Sequence, residues 1–79
     1  MTKKQMLGYL GKVQGIQRAS NVNSFHVSTY RNEGKMFICV SIQLREEGGF
    51  EHFNFYDFRS KEENDETLKD LIKCASENG

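Results

Sequence analysis

The sequence predicts an α+β fold in the order α-β-β-β-α, a three-stranded antiparallel meander packed by two helices. Three observations carry this. Apolar residues near both ends of the 79-residue chain recur at the helical spacings of 3, 4 and 7. Between them lie three runs rich in aromatic and β-branched residues, the composition of strands. Two short turn clusters separate those runs, and short turns join antiparallel neighbours. At this length one domain over residues 1–79 is expected.

The first helix is expected over about residues 3–19. Met6, Tyr9, Leu10, Val13 and Ile16 fall within about 120° of one another at 100° per residue, a normal core-facing stripe. Gly8, Gly11 and Gly15 cluster on the opposite side. The stretch "LGYLGKVQGIQ" superficially suggests a phosphate-binding loop. Such a loop needs G-x-x-x-x-G-K-[ST] between a strand and a helix. Here Gly11-Lys12 is followed by Val13, the preceding glycine is three residues back, and no strand fits before residue 7. The three glycines cost the helix about 3 kcal/mol relative to alanine, so the expectation is a weak helix held by tertiary packing.

The strands are expected over residues 24–31 ("SFHVSTYR"), 35–44 ("KMFICVSIQL") and 50–58 ("FEHFNFYDF"), joined by "RNEG" and "REEGG". If "RNEG" closes the first hairpin, Tyr30 opposes Lys35, Ser28 opposes Phe37 and His26 opposes Cys39. Phe25 and Val27 then share an apolar face with Met36, Ile38, Val40 and Ile42, joined by Phe53 and Phe55 when "EEGG" closes the second. The other face carries His26, Ser28, Tyr30, Phe37, Cys39, Ser41, Gln43, His52, Asn54, Tyr56 and Phe58.

The second helix is expected over about residues 61–77. Ser60 and Glu63 form the S-x-x-E capping box. Leu68, Leu71, Ile72 and Ala75 supply the apolar stripe, and Cys74 beside it reads as a buried, inert thiol.

Composition narrows the function. The chain lacks proline and tryptophan, is 37% hydrophobic and 28% charged, and has zero net charge. Two cysteines without metal-ligand spacing make no disulfide framework and point to a reducing compartment. The N-terminal "MTKKQMLGYLGKV" has too short and glycine-broken an apolar run for a secretory signal. No stretch approaches the ~20 apolar residues of a membrane span, so a cytoplasmic, intracellular protein is expected. Residues 1–61 carry nine Lys or Arg against five Asp or Glu, whereas residues 62–79 carry two against six. Acids at the start of the last helix complement its dipole.

The face opposite the apolar one is mixed, with aromatic, hydroxyl, amide and imidazole groups together. Exposed aromatic patches mark interaction sites. It serves as core if one helix packs on each side of the sheet, and as a binding surface otherwise. Tyr30, Phe37, Tyr56 and Phe58, with His26 beside them, are the candidate interaction residues, since aromatic anchors dominate interfaces. His26 and Cys39 resemble a nucleophile–base pair, but no orienting acid accompanies them. His26, His52 and Cys39 lack the tight ligand spacing of a zinc site. No catalytic, cofactor-binding or metal-ligating residue is assigned.

The element order resembles that of the double-stranded-RNA-binding domain. The resemblance implies RNA binding through a lysine cluster at the start of the last helix. The matching stretch here is "SKEENDETLKD", where carboxylates would repel phosphate. Arg31, Lys35, Arg45 and Arg59 flank the strands and are the candidate phosphate contacts for a nucleic-acid-binding alternative. The favoured expectation is a small, non-catalytic interaction or accessory protein. It would use the aromatic sheet face or an edge strand against a protein partner or a second copy.

Overall fold

Both helices begin where the sequence supplies side-chain partners for orphan backbone amides. In the computed structural model, which describes residues 1–46 and 48–79, helix α1 (Lys3–Ala19) starts at Thr2. The Thr2 hydroxyl accepts from the Gln5 amide at 3.2 Å, and the Gln5 side chain accepts from the Thr2 amide at 2.8 Å. Helix α2 (Lys61–Glu77) starts at Ser60, where the Glu63 amide and side chain complete the same reciprocal pair. Between them run β1 (Phe25–Asn32), β2 (Lys35–Gln43) and β3 (Phe50–Tyr56), an antiparallel sheet in the order β1-β2-β3.

The alternation of β2 organises the core. Met36, Ile38, Val40 and Ile42 are buried, and the residues between them are not. Phe53 and Phe55 of β3 lie on the same side, as do the partly buried Phe25 and Val27 of β1. Both helices cover that one side. α1 brings Met6, Tyr9 and Val13 to it, and α2 brings Leu71, Cys74 and Ala75. The arrangement with one helix on each face is therefore excluded. Among the described residues, nothing outside the helix's own turns comes within 4 Å of where a Cβ would stand at the three glycines of α1.

The pairing register differs from the expected one in both hairpins. Tyr30 opposes Phe37 rather than Lys35, Ser28 opposes Cys39 rather than Phe37, and His26 opposes Ser41 rather than Cys39. The cause is a tighter turn. Asn32 pairs with Lys35 across Glu33 and Gly34 alone, both with positive φ (51° and 79°). Two successive residues with φ > 0 define the turn whose twist suits a two-residue hairpin. In the second hairpin Gln43 pairs with Phe50, two residues further from the loop than "EEGG" alone would give. The loop is closed by Leu44, whose amide donates to the Gly49 carbonyl at 2.8 Å; Glu47 of the expected turn lies outside the described residues. Each shift is two residues, so every side chain keeps its expected face.

Two further positions depart from the sequence reading. β3 ends at Tyr56, so Phe58 stands in the turn after the strand. On α2, Ile72 is 49% exposed, whereas Asn64 is fully buried. Asn64 acts as a strand substitute at the outer edge of β3. Its Oδ1 accepts from the Tyr56 amide at 3.3 Å and its Nδ2 donates to the Tyr56 carbonyl at 2.9 Å. At about 100° per residue Asn64 falls between Leu71 and Ala75 on the apolar stripe and is buried with them, while Ile72 lies at the edge of that stripe and stays half in water.

A polar clasp joins the helices. The Tyr9 hydroxyl donates to the Asp65 carboxylate, which also pairs with Lys61. Burial, followed by the Asp65 carboxylate, pushes the Tyr9 phenol up to about 12. Lys61 and then Tyr9 hold Asp65 below the usual carboxylate range. The Asp65 contribution is thus present above the ordinary carboxylate pKa and fades as pH falls through the lowered value. The Tyr9 contribution is complete below pH 10 and fades as pH rises toward 12.

Asn64→Ala leaves both main-chain groups of Tyr56 without their side-chain partner. We expect a loss of about 2–4 kcal/mol, read from urea unfolding, with an unchanged native circular-dichroism spectrum. A loss below about 0.5 kcal/mol would show that water replaces the amide there.

Candidate functional site

Three cross-strand rows of the uncovered face span all three strands, in positions fixed by the register. Tyr30, Phe37 and Tyr56 form the first, Ser28, Cys39 and Asn54 the second, and His26, Ser41 and His52 the third. Rows two residues apart are separated by about 7 Å, so the aromatic and imidazole ends lie about 13 Å apart.

The aromatic end is a packed cluster. Phe37 meets Tyr56 edge-on, with ring centroids 5.5 Å apart, and meets Phe58 edge-on at 6.2 Å. Tyr56 and Phe58 stack at 4.9 Å. Phe58 thus joins the cluster from the turn rather than from the strand. The Arg59 guanidinium lies 4.5 Å over the Tyr56 ring and donates to the Asn54 carbonyl at 3.1 Å, which fixes its position at the strand edge. Phe37 and Tyr56 are half-buried, while Tyr30 and Phe58 remain 56% and 69% exposed.

The imidazole end is separate. The Ser24 hydroxyl contacts His26 Nε2 at 2.7 Å, and the Ser41 hydroxyl contacts His52 Nδ1 at 2.8 Å. His26 therefore does not belong with the four aromatic residues. Its ring lies 6.5 Å from that of Phe50 instead. Phe50, 47% exposed, is the residue the sequence reading missed on this face. Its place at the strand start, opposite Gln43, is the signal that would have found it. Among the described residues neither imidazole meets a carboxylate on its other nitrogen, the contact that orients a catalytic base. No group of three potential metal ligands converges there either.

Cys39 sits in the middle row, opposite Ser28 and Asn54 rather than beside His26. Cys74 lies on the covered side, its Sγ 3.5 Å from the Glu51 carboxylate. Burial, and then that carboxylate, push its thiol up to about 11.

The four candidate phosphate contacts are dispersed. Lys35 opposes Asn32 at the aromatic end of the open face, and Arg59 lies over Tyr56. Arg31 opposes Met36, hence on the helix side of the sheet. Arg45 lies beyond β2, its amide donating to the Asn78 side chain at the end of α2. At the start of α2, Lys61 is paired with Asp65, and Glu62 and Glu63 occupy the first turn. Charge at that helix end opposes phosphate, as the sequence reading expects.

No protein-family model, curated protein or solved structure matches the chain. The likeness to the double-stranded-RNA-binding domain extends to element order alone. Among the described residues no helix is long and apolar enough to cross a membrane.

Cys39 is half-buried, whereas Cys74 is buried and its thiol is held weakly acidic. At pH 7 a thiol titrating near 11 is ionised in about one molecule in ten thousand. Limited iodoacetamide treatment of the native protein should therefore label Cys39 first, with Cys74 modified only at the rate of unfolding. Peptide mass spectrometry reads the order, and equal labelling would contradict the packing of Cys74.

Proposed function

We propose that the chain is a non-catalytic interaction module that docks a protein partner on the open face of its sheet. One observation carries the reading. Both helices cover the same side, so Phe37, Tyr56 and Phe58 form a pre-packed aromatic cluster, with Tyr30 opposite Phe37 beside it, and among the described residues no element lies over it. Rings already held by one another lose little side-chain freedom on binding, which favours them as anchors. The polar row of Ser28, Cys39 and Asn54 beside them supplies hydrogen-bonding groups of the kind found around such anchors. A protein partner is preferred to nucleic acid because Arg31 and Arg45 stand away from this face, leaving Lys35 and Arg59 as its cations.

Phe37→Ser combined with Tyr56→Ser tests the reading. The double variant should keep the native circular-dichroism spectrum and cooperative melting, and should no longer retain proteins that the unaltered chain captures from a lysate of its source cells. If the variant instead unfolds, the rings are structural and the docking face is wrong.

Fluorescence anisotropy with a short single-stranded oligonucleotide separates the alternatives. The chain should bind it no more than weakly at physiological salt. Tight binding that falls steeply with salt and is abolished in Lys35→Glu with Arg59→Glu would replace the protein partner by nucleic acid.

A further inference from the structure

The two edges of the sheet are treated differently. In an antiparallel sheet the amide and carbonyl of one residue point to the same side, and those of the next residue to the other. The Gln43 amide donates to the Ser24 carbonyl at 2.9 Å, so the even-numbered positions of β1 face β2. The odd-numbered positions, Phe25, Val27, Thr29 and Arg31, direct their main-chain groups outward. The Phe25 carbonyl is taken by the Gln17 side chain at 2.9 Å. Both main-chain groups of Val27, Thr29 and Arg31 have no partner in the chain among the described residues. At the other edge, Asn64 occupies both groups of Tyr56, and Arg59 occupies the Asn54 carbonyl.

Edge strands left open are normally blunted by proline, lysine, a bulge or a covering element. Residues 25–30, "FHVSTY", contain no proline and no Lys, Arg, Asp or Glu. β1 pairs without interruption along all eight of its residues. Among the described residues, side chains thus cap the Asn54–Tyr56 end of the β3 edge, whereas on β1 they take the Phe25 carbonyl alone, and Arg31 is the one charged residue of that strand.

We infer that β1 pairs antiparallel with β1 of a second copy about a two-fold axis at Thr29, giving a continuous six-stranded sheet. In this register Thr29 opposes Thr29 of the second copy, and Val27 opposes Arg31. The six main-chain groups of Val27, Thr29 and Arg31 in each copy are all used, and the carbonyl held by Gln17 is not needed. No like charges face each other, because Arg31 meets Val27. On the open face Ser28 opposes Tyr30, so the two aromatic clusters lie on one surface.

Charge selects this edge over the other. α2, with Glu62, Glu63, Asp65, Glu66, Asp70 and Glu77, packs on β3. Joining two copies at β1 leaves the acidic helices at the far ends of the sheet, whereas joining at β3 would bring them together. α1 touches β1 and β3 alike, so its lysines do not discriminate. The inference is independent of the docking reading. The face variant of Phe37 and Tyr56 leaves the β1 edge untouched and should stay dimeric.

The test is molar mass by sedimentation equilibrium over a concentration series, with residue-resolved amide exchange. The expected mass at high concentration is twice the chain's 9.1 kDa. Exchange at Val27, Thr29 and Arg31 should slow as concentration rises, while other exposed amides do not change. Thr29→Pro removes an outward amide without touching the β1–β2 ladder and should give a folded monomer. Thr29→Lys places two cations at the axis and should weaken association at least about tenfold; it decides the matter if the proline variant fails to fold. A chain that stays monomeric at every concentration overturns the inference, as does a dimer that survives both substitutions.

Discussion

The structure depends on the alternation along β2. Met36, Ile38, Val40 and Ile42 lie on one side, with Phe37, Cys39, Ser41 and Gln43 on the other. A central strand has neighbours on both edges, so its two faces decide what the whole sheet must bury. The apolar side has to be covered, and a chain this short has two helices to cover it. Spending both on the same face gives one well-filled core and leaves the other face without any covering layer. The open aromatic surface thus follows from the same pattern that makes the core.

Asn64 shows how a polar residue can serve within an apolar stripe. Leu68, Leu71, Ile72 and Ala75 define a reasonable helix face, and burying Ile72 would gain about 1.5–3 kcal/mol. Yet α2 lies against the edge of β3, where Tyr56 presents an amide and a carbonyl away from β2. Burying those two groups without partners would cost about as much or more. Asn64, between Leu71 and Ala75 on the buried helix face, serves both, and Ile72 at the edge of that face is left half in water. The same side chain finishes the edge strand and ties it to the helix.

The sequence reading was most accurate where periodicity governs. The element order and the capping box at Ser60 follow from patterns of the kind that survive local errors. Face assignment survived two such errors, because each hairpin register shifted by an even number of residues. Turn geometry was less legible. Glu33 with positive φ is an uncommon choice for a tight turn, and "RNEG" reads equally well as a longer loop. The separation of His26 from the aromatic residues follows from that register alone, since His26 opposes Ser41 and not Cys39. Asn64 stands at the helical spacing of the apolar stripe, but its partner exists only once β3 and α2 are neighbours.

The uneven charge of the chain also takes a different meaning in three dimensions. Along the sequence it reads as a basic body followed by an acidic tail. In the fold the acidic stretch is a helix packed on the far side of the sheet from the aromatic cluster. None of the strand positions on the open face is acidic: they are His26, Ser28, Tyr30 and Asn32, then Lys35, Phe37, Cys39, Ser41 and Gln43, then Phe50, His52, Asn54 and Tyr56. The zero net charge is therefore the sum of two unlike sides. A partner approaching the open face meets aromatic rings, neutral polar groups, Lys35 and Arg59, the last of which also lies near Glu63 at the start of α2. Such a face gives little long-range steering and depends on contact, which suits a surface of packed rings better than one that must attract phosphate.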